Sequence, residues 1–514
     1  MKKKKSATEA QRTQRNTKTL FSFFSVFSVP LWLILLVLPL SAQRDDPLAR
    51  DILRELIEIN TTDSSGSTTI AAQAMAKRLR DAGFPAGDVA VLGPNERKGN
   101  LVVRMPGNPG SGHKPILIIC HLDVVEARRE DWSTDPFAFV EKDGYFYGRG
   151  TQDVKTGDAA LIADLIRLHR EGFRPDRDII VALTADEETG TSNGVEWLLK
   201  NHRDMIDAEY VLNPDAGGVV TDNGKPLMME IEASEKLYAD FQLTAKNPGG
   251  HSSLPVSDNA IYHIADALAR LERSPFPFEL NAVTRAYLER LTSVDKKSAA
   301  DIAAILKSPP DTKTSAGRWP VAGQRPSAGL AAALARLSAD PHYNATFRTT
   351  CVATRLNGGH ANNALPQLAQ ALVNCRILPG HSKEEVRRDL IRIVADPKVT
   401  VQYLDDLTNA TRDRAPDDKA LPGVLPKPEV EQSVERIAAS MWPGAPVLPS
   451  METGASDSIY TNRAGLPSYG VSGMAIDRDD VRAHGRDERI RIDSYYQGVE
   501  FYYRLLKALT SPQP

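Results

Sequence analysis

Three short runs without a charged residue, Ile116 to Cys120, Ile179 to Leu183 and Tyr210 to Leu212, stand between helical stretches in the first half of the chain. A run that is apolar at every position predicts a strand covered on both faces, because a half-exposed strand alternates. The alternation of such runs with helices from Ala49 to Gly172 predicts an α/β domain with a mostly parallel central sheet and helices on both faces. From Leu237 the rhythm changes. Leu237, Ala239, Phe241 and Leu243 are apolar at a period of two, which predicts a half-buried strand. Ile261, Ile264, Ala265, Leu268 and Leu271 then fall at helical spacing, and further strands are predicted at Phe347 to Arg355 and Ala371 to Leu378. This texture predicts a separate α+β domain inserted into the first.

The Pro-, Ala- and Ser-rich stretch from Ser274 to Tyr343 contains helical pieces around Arg285 to Leu291 and Leu330 to Leu337. After Asp406 the α/β pattern returns, ending in a helix from about Ser494 to Leu509 with Tyr496, Val499, Tyr503 and Leu506 on one face. The organisation expected from these shifts is one domain in two parts, 43–234 and 403–514, around a second domain inserted at 235–402.

Residues 1–42 are different in kind. Lys2 to Lys5, Arg12, Arg15 and Lys18 precede an uncharged apolar run from Leu20 to Leu40, followed by Ser41, Ala42 and Gln43. Such a charge-then-apolar order predicts a signal peptide cleaved near Ala42, with a retained membrane anchor as the alternative, and export to the periplasm or the extracellular space. The formal net charge of −3 includes this basic segment, so the remainder is more acidic. A mildly acidic chain without a basic block offers no footprint for nucleic acid. At 514 residues, 41% of them hydrophobic, the chain is long enough for two or three domains. The three cysteines, Cys120, Cys351 and Cys375, fit no metal-binding spacing and no disulfide framework, and read as small buried hydrophobes.

Each buried run delivers ligand-type residues where it ends. Ile116 to Cys120 leads to His121 and Asp123, Ile179 to Leu183 to Asp186, Glu187 and Glu188, and Tyr210 to Leu212 to Asp215. Asp153 lies in the glycine-bounded loop Gly148 to Gly157, before an apolar helix at Ala159 to Leu168. The carboxyl ends of parallel strands are where an open sheet gathers its functional groups. Several carboxylates packed there repel unless a cation neutralises them, and a mixed His and carboxylate set is what zinc accepts.

Seven stretches, in order, resemble the zinc-dependent aminoacylases, acetylornithine and succinyl-diaminopimelate deacylases, and glutamate and Gly-X carboxypeptidases. They are His121 to Val125, Tyr147 to Lys155, Ala185 to Gly190, Asn213 to Gly218, Gly249 to Ser253, Asn363 to Pro366 with Asn374 to Arg376, and Ala483 to Glu488. The resemblance implies two zinc ions, with cobalt or manganese as substitutes, one on His121, Asp153 and Asp215 and the other on Asp153, Glu188 and His484. It implies that Glu187 is the general base and acid, that Asp123 orients His121, and that Glu488 does the same for His484. It also implies that His251 stabilises the oxyanion and that Asn363, Arg376 and Gly454 bind the substrate, a small peptide or N-acyl amino acid cleaved beside a free carboxylate. It implies too that 43–234 with 403–514 is the catalytic domain and 235–402 an inserted lid or dimerisation domain, through which a homodimer is expected. Two positions depart from the family's pattern: Asp215-Ala-Gly-Gly stands where Asp-Glu-Gly-Gly is frequent, and Glu126 where proline is frequent.

Two rival readings give different expectations. Gly190-Thr-Ser192-Asn-Gly194 fits the Gly-x-Ser-x-Gly pattern of serine hydrolases. The acids at 186–188 separate Ser192 from its strand, whereas a nucleophile elbow places serine directly at the strand end. The other rival is a non-catalytic relative acting as a binding module, against which all five ligand candidates and Glu187 are present.

Overall fold

The computed structural model describes residues 46–308, 317–319, 326–405 and 408–511. The signal or anchor segment expected at 1–42 lies outside them. Among the described residues no helix is long and apolar enough to cross a membrane.

A ten-stranded mixed sheet forms the larger layer. Its centre is parallel: Ile116–His121 lies between Ile179–Thr184 and Tyr210–Asn213, and Ser468–Gly470 follows beyond the latter. Antiparallel pairs extend both sides, with Asn100–Met105 on Ile179–Thr184 and Lys225–Glu235 on Gly218–Asp222. The three charge-free runs are thus adjacent strands, buried at every residue. Covering each Ile, Leu or Val there contributes roughly 1.5–3 kcal/mol, and charge at these positions would forfeit it. Helix Lys155–Arg170 is buried over most of its length, and the last helix, Ile492–Thr510, shares its apolar core through Tyr495, Val499 and Tyr502.

A second sheet is wholly antiparallel: Thr350–Gly358, Leu368–Ile377, Leu237–Lys246, Val399–Leu404 and Thr411–Arg412, in that order. Its inner face packs on helices Ala260–Glu272 and Lys383–Val394 in a core of its own. Helices Ala282–Leu291 and Ala328–Leu337 belong to a third apolar cluster, which reaches the large sheet at Leu448.

The cysteine expectation needs correction. Cys120 is a free, buried thiol, but Cys351 and Cys375 form a disulfide, with Cα atoms 4.1 Å apart. Their strands are antiparallel neighbours and register places Cys351 opposite Cys375. The two residues are 24 apart in sequence, so only the strand pairing reveals their proximity.

Candidate metal centre

Parallel register fixes the first contacts of the site. His121 is the last residue of its strand and lies opposite Thr184, so the loops that follow both strands leave the sheet at the same edge. Asp123 stands in one loop and Asp186 to Glu188 in the other, while Asp215 follows Asn213 on the neighbouring strand. Asp153 comes just before helix Lys155–Arg170. His484 arrives from the far end of the chain, in a left-handed turn (φ 61°) shortly before strand Arg489–Arg491.

Asp153 sits between the two histidines. One carboxylate oxygen is 3.1 Å from His121 Nε2 and the other 2.9 Å from His484 Nε2. Asp215 is 3.5 Å from His121 Nε2, and Glu188 is 3.0 Å from His484 Nε2. The sets His121, Asp153, Asp215 and Asp153, Glu188, His484 each bring three ligand atoms within 4.8 Å of one another, as does His121, Glu187, Glu188.

The electrostatics of the cluster call for positive charge. Burial alone would lower the proton affinity of His121, but Asp215 and Asp153 outweigh it and push the imidazole well up. Hydrogen bonds to Asp153 and Glu188 push His484 up to about 10. Burial opposes ionisation of Asp153, yet both histidines hold it well below the usual carboxylate range. His121 Nε2 and Glu188 Oε1 are buried and have no hydrogen-bond partner among the described residues. His121 Nδ1 donates to the carbonyl oxygen of Asp123 at 2.9 Å, which leaves Nε2 of the neutral ring as a bare lone pair. Bare imidazole and carboxylate lone pairs in threes are the donor set of a zinc-type ion, so these residues fit the metals implied by the resemblance.

The two orienting carboxylates act differently from expectation. Asp123 turns its carbonyl to His121, its carboxylate lying 3.8 Å from Nδ1. That carboxylate instead accepts the backbone N–H groups of Glu187 and Glu188, both at 3.1 Å. Glu488 likewise holds backbone rather than His484: its oxygens accept the N–H groups of Gly150, Gln152 and Asp153 and pair with Arg149 at 2.6 Å. Both therefore brace the loops that carry the candidate ligands. Glu126 accepts the N–H and hydroxyl of Ser64, both at 2.9 Å, fastening the 60–66 loop to the rim.

Glu187 is half-buried by area but enclosed by protein, and burial, with Asp215, Asp457 and Glu188 nearby, pushes its carboxyl well up despite His121. Sequence reasoning did not single out Asp457. It is buried, and it accepts hydrogen bonds from Asn193 Nδ2 at 2.5 Å and Thr184 Oγ1 at 3.1 Å. Its signal was positional: it follows Val447–Glu452, a strand parallel to Lys225–Glu235, just as the other acids follow theirs.

The remaining candidates do not join this cluster in one chain. His251 and Asn363 meet in an exposed two-stranded ribbon, Gly250–His251 with Ala364–Leu365, and His251 Nδ1 accepts the N–H of Ser253 at 3.1 Å. Arg376 lies on the less buried face of its strand, as the alternation predicts. It stacks 4.9 Å above the Tyr238 ring, with no carboxylate partner among the described residues. The N–H of Gly454 donates to Glu452 at 3.0 Å. Ser192 sits in the turn ahead of helix Gly194–Asn201, which Asn193 caps, and its hydroxyl has no hydrogen bond to histidine among the described residues. It thus lacks the base that a nucleophilic serine needs.

The sequence profile of peptidase family M20/M25/M40 matches residues 117–508. Human "N-fatty-acyl-amino acid synthase/hydrolase PM20D1" is 29% identical over 408 residues, covering 78% of this chain and 75% of that protein. Mouse "Aminoacylase-1" is 25% identical over 405 residues, covering 77% and 80%. Among solved structures, the M20 family metallo-carboxypeptidase Sso-CP2 from Sulfolobus solfataricus has a similar fold, with a TM-score of 0.63 at 15% identity over 90% of this chain and 99% of that one.

Proposed function

The chain belongs to peptidase family M20/M25/M40 and is a metallohydrolase of amide bonds in peptides or N-acyl amino acids, and from that premise we propose a two-zinc enzyme acting beside a free carboxylate. The position of Asp153, one oxygen to each histidine, carries this reading. His121, Asp153 and Asp215 would hold one ion, and Asp153, Glu188 and His484 the other. When bound, such ions would lower the pKa of a water toward ~7 and polarise the scissile carbonyl. Glu187 is the proton carrier: its carboxylate accepts a proton from the attacking water and returns it to the leaving amide nitrogen. Asp123 and Glu488 hold the loops in register. Arg376, a guanidinium without a carboxylate partner among the described residues, binds the substrate's carboxylate as a two-pronged fork. Gly454 would contribute to the same substrate contact. The names of the two relatives favour an N-acyl amino acid as the substrate.

The catalytic domain would be residues 43–234 with 403–514, and 235–402 the lid; a separate sheet and core favour an inserted unit, and that sheet runs on past 402 to Thr411–Arg412. His251 and Asn363, exposed on the lid ribbon, complete the site when the ribbon approaches a catalytic cleft. The disulfide favours export, since such bonds persist in oxidising compartments. A mature exported protein beginning near Gln43 would establish this; an intact tail on a membrane-bound protein would replace it with an anchor.

Metal content tests the reading. Purified enzyme should contain close to two zinc ions per chain, and chelation should abolish turnover reversibly. Asp153→Ala should lose both ions, because both sets share that residue. Full activity in metal-free protein would refute the proposal.

A further inference from the structure

Lys98 is 8% exposed, and it stands outside every motif that the metal centre uses. Its ammonium donates to the carboxylate of Asp186, and to that of Asp63 at 2.6 Å. Asp186 has no exposed side-chain surface and precedes Glu187 directly. It occupies the left-handed region at φ 65°, uncommon outside glycine though aspartate tolerates it better than most. Besides Lys98, the Asp186 carboxylate accepts from the hydroxyls of Thr189 and Thr191 and from the N–H of Ser192. The turn bearing Glu187 and Glu188 is therefore pinned from both sides: Asp123 takes its two N–H groups, and Asp186 gathers the residues that follow.

We propose that Lys98 is a positioning residue for the reaction: by neutralising buried Asp186 it fixes the left-handed turn that aims Glu187 at the substrate. The inference rests on Glu187 as the proton carrier. Lys98 is the cation paired with the Asp186 carboxylate, whose side chain has no exposed surface. Without Lys98 a buried carboxylate loses its counter-ion, at a greater cost than losing both partners. The turn must then shift so that water reaches Asp186, carrying Glu187 with it. Asp63 connects the arrangement to the rim, since its loop is also held by Glu126 through Ser64 and by Arg97, whose guanidinium donates to the Asp63 carbonyl at 2.6 Å.

The test is a double-mutant cycle on the zinc-loaded enzyme with an N-acyl amino acid substrate. Lys98→Met should lower kcat by about 10- to 100-fold, the scale of an ångström-sized misplacement. KM should stay within about twofold, a bound allowed because misalignment removes transition-state rather than ground-state contacts, and two zinc ions should remain. Lys98→Arg should restore most of kcat. Lys98→Met with Asp186→Asn should be faster than Lys98→Met alone, because no uncompensated carboxylate remains. A Lys98→Met enzyme at the wild-type rate, one that loses zinc or KM rather than kcat, or additive losses in the cycle would overturn the inference. If Lys98→Met does not fold, the double variant decides alone: folding with near wild-type zinc and a kcat above that of Asp186→Asn supports the pairing, and a kcat at or below it overturns the pairing. Glu187→Gln measured alongside separates the two levels, since an active Glu187→Gln enzyme removes the premise whatever Lys98 does.

Discussion

Glu187 and Glu188 are neighbours in sequence, but their surroundings divide the work between them. Glu188 reaches His484 at 3.0 Å and shares a ligand set with Asp153, whereas Glu187 faces Asp215 and Asp457 and has no such contact with His484. Glu187→Gln should therefore reduce turnover by about 100- to 10,000-fold, with zinc measured by mass spectrometry still near two per chain. Zinc lost together with activity would exchange the roles of the two glutamates. At this scale His121, Glu188 and Asp215 were legible because strand ends and residue chemistry coincide, whereas His484 entered through the resemblance alone. The tasks of Asp123 and Glu488 were not legible. Each acts on a backbone N–H, and sequence shows carboxylates but not which amides they face.

At the scale of elements, period-two and helical spacing located both sheets' main strands, and the predicted strand at Leu237 extends to Lys246. Pairing was harder to read: the disulfide depends on strand register that brings together cysteines 24 residues apart. Helix Ala260–Glu272 of the smaller layer carries another contact of this kind. His263 donates toward Asp258 at 2.9 Å and toward Asp396 at 2.7 Å, while Lys398 pairs with Asp258 and Arg270 stands near Asp396. The hydrogen bonds to Asp258 and then Asp396 raise the imidazole above its ordinary value. A raised folded pKa contributes stability that is fully present below the unfolded value of about 6.5 and lost as pH rises through the folded one. His263→Ala should accordingly lower the unfolding temperature more at pH 5.5 than at pH 9, two settings placed roughly on either side of that window. An equal loss at both pH values would show that His263 acts by packing.

Among the described residues, the five-stranded sheet ends on one side in a long strand with which no further strand pairs. Thr350–Gly358 ends the five-stranded sheet, and beyond Cys351 its residues are exposed on both faces, including Val352 at 59% and Leu356 at 65%. Beside it, helix Ala260–Glu272 exposes Ile261 and Tyr262, and Ile261 lies close enough to crowd a side chain at Gly358. A long edge strand with uncovered apolar residues is a template for pairing. Two copies related by a twofold axis would satisfy both edges at once, because the same patch serves each partner. The homodimer proposed through the lid would use this surface, and it would also place each exposed His251 ribbon within a two-chain assembly. The enzyme should therefore sediment as a dimer, and Val352→Lys with Leu356→Lys should yield folded monomers that keep both zinc ions, since neither residue belongs to the metal cluster. A monomeric wild-type enzyme at micromolar concentration, or a dimer indifferent to both lysines, would direct the search to another face.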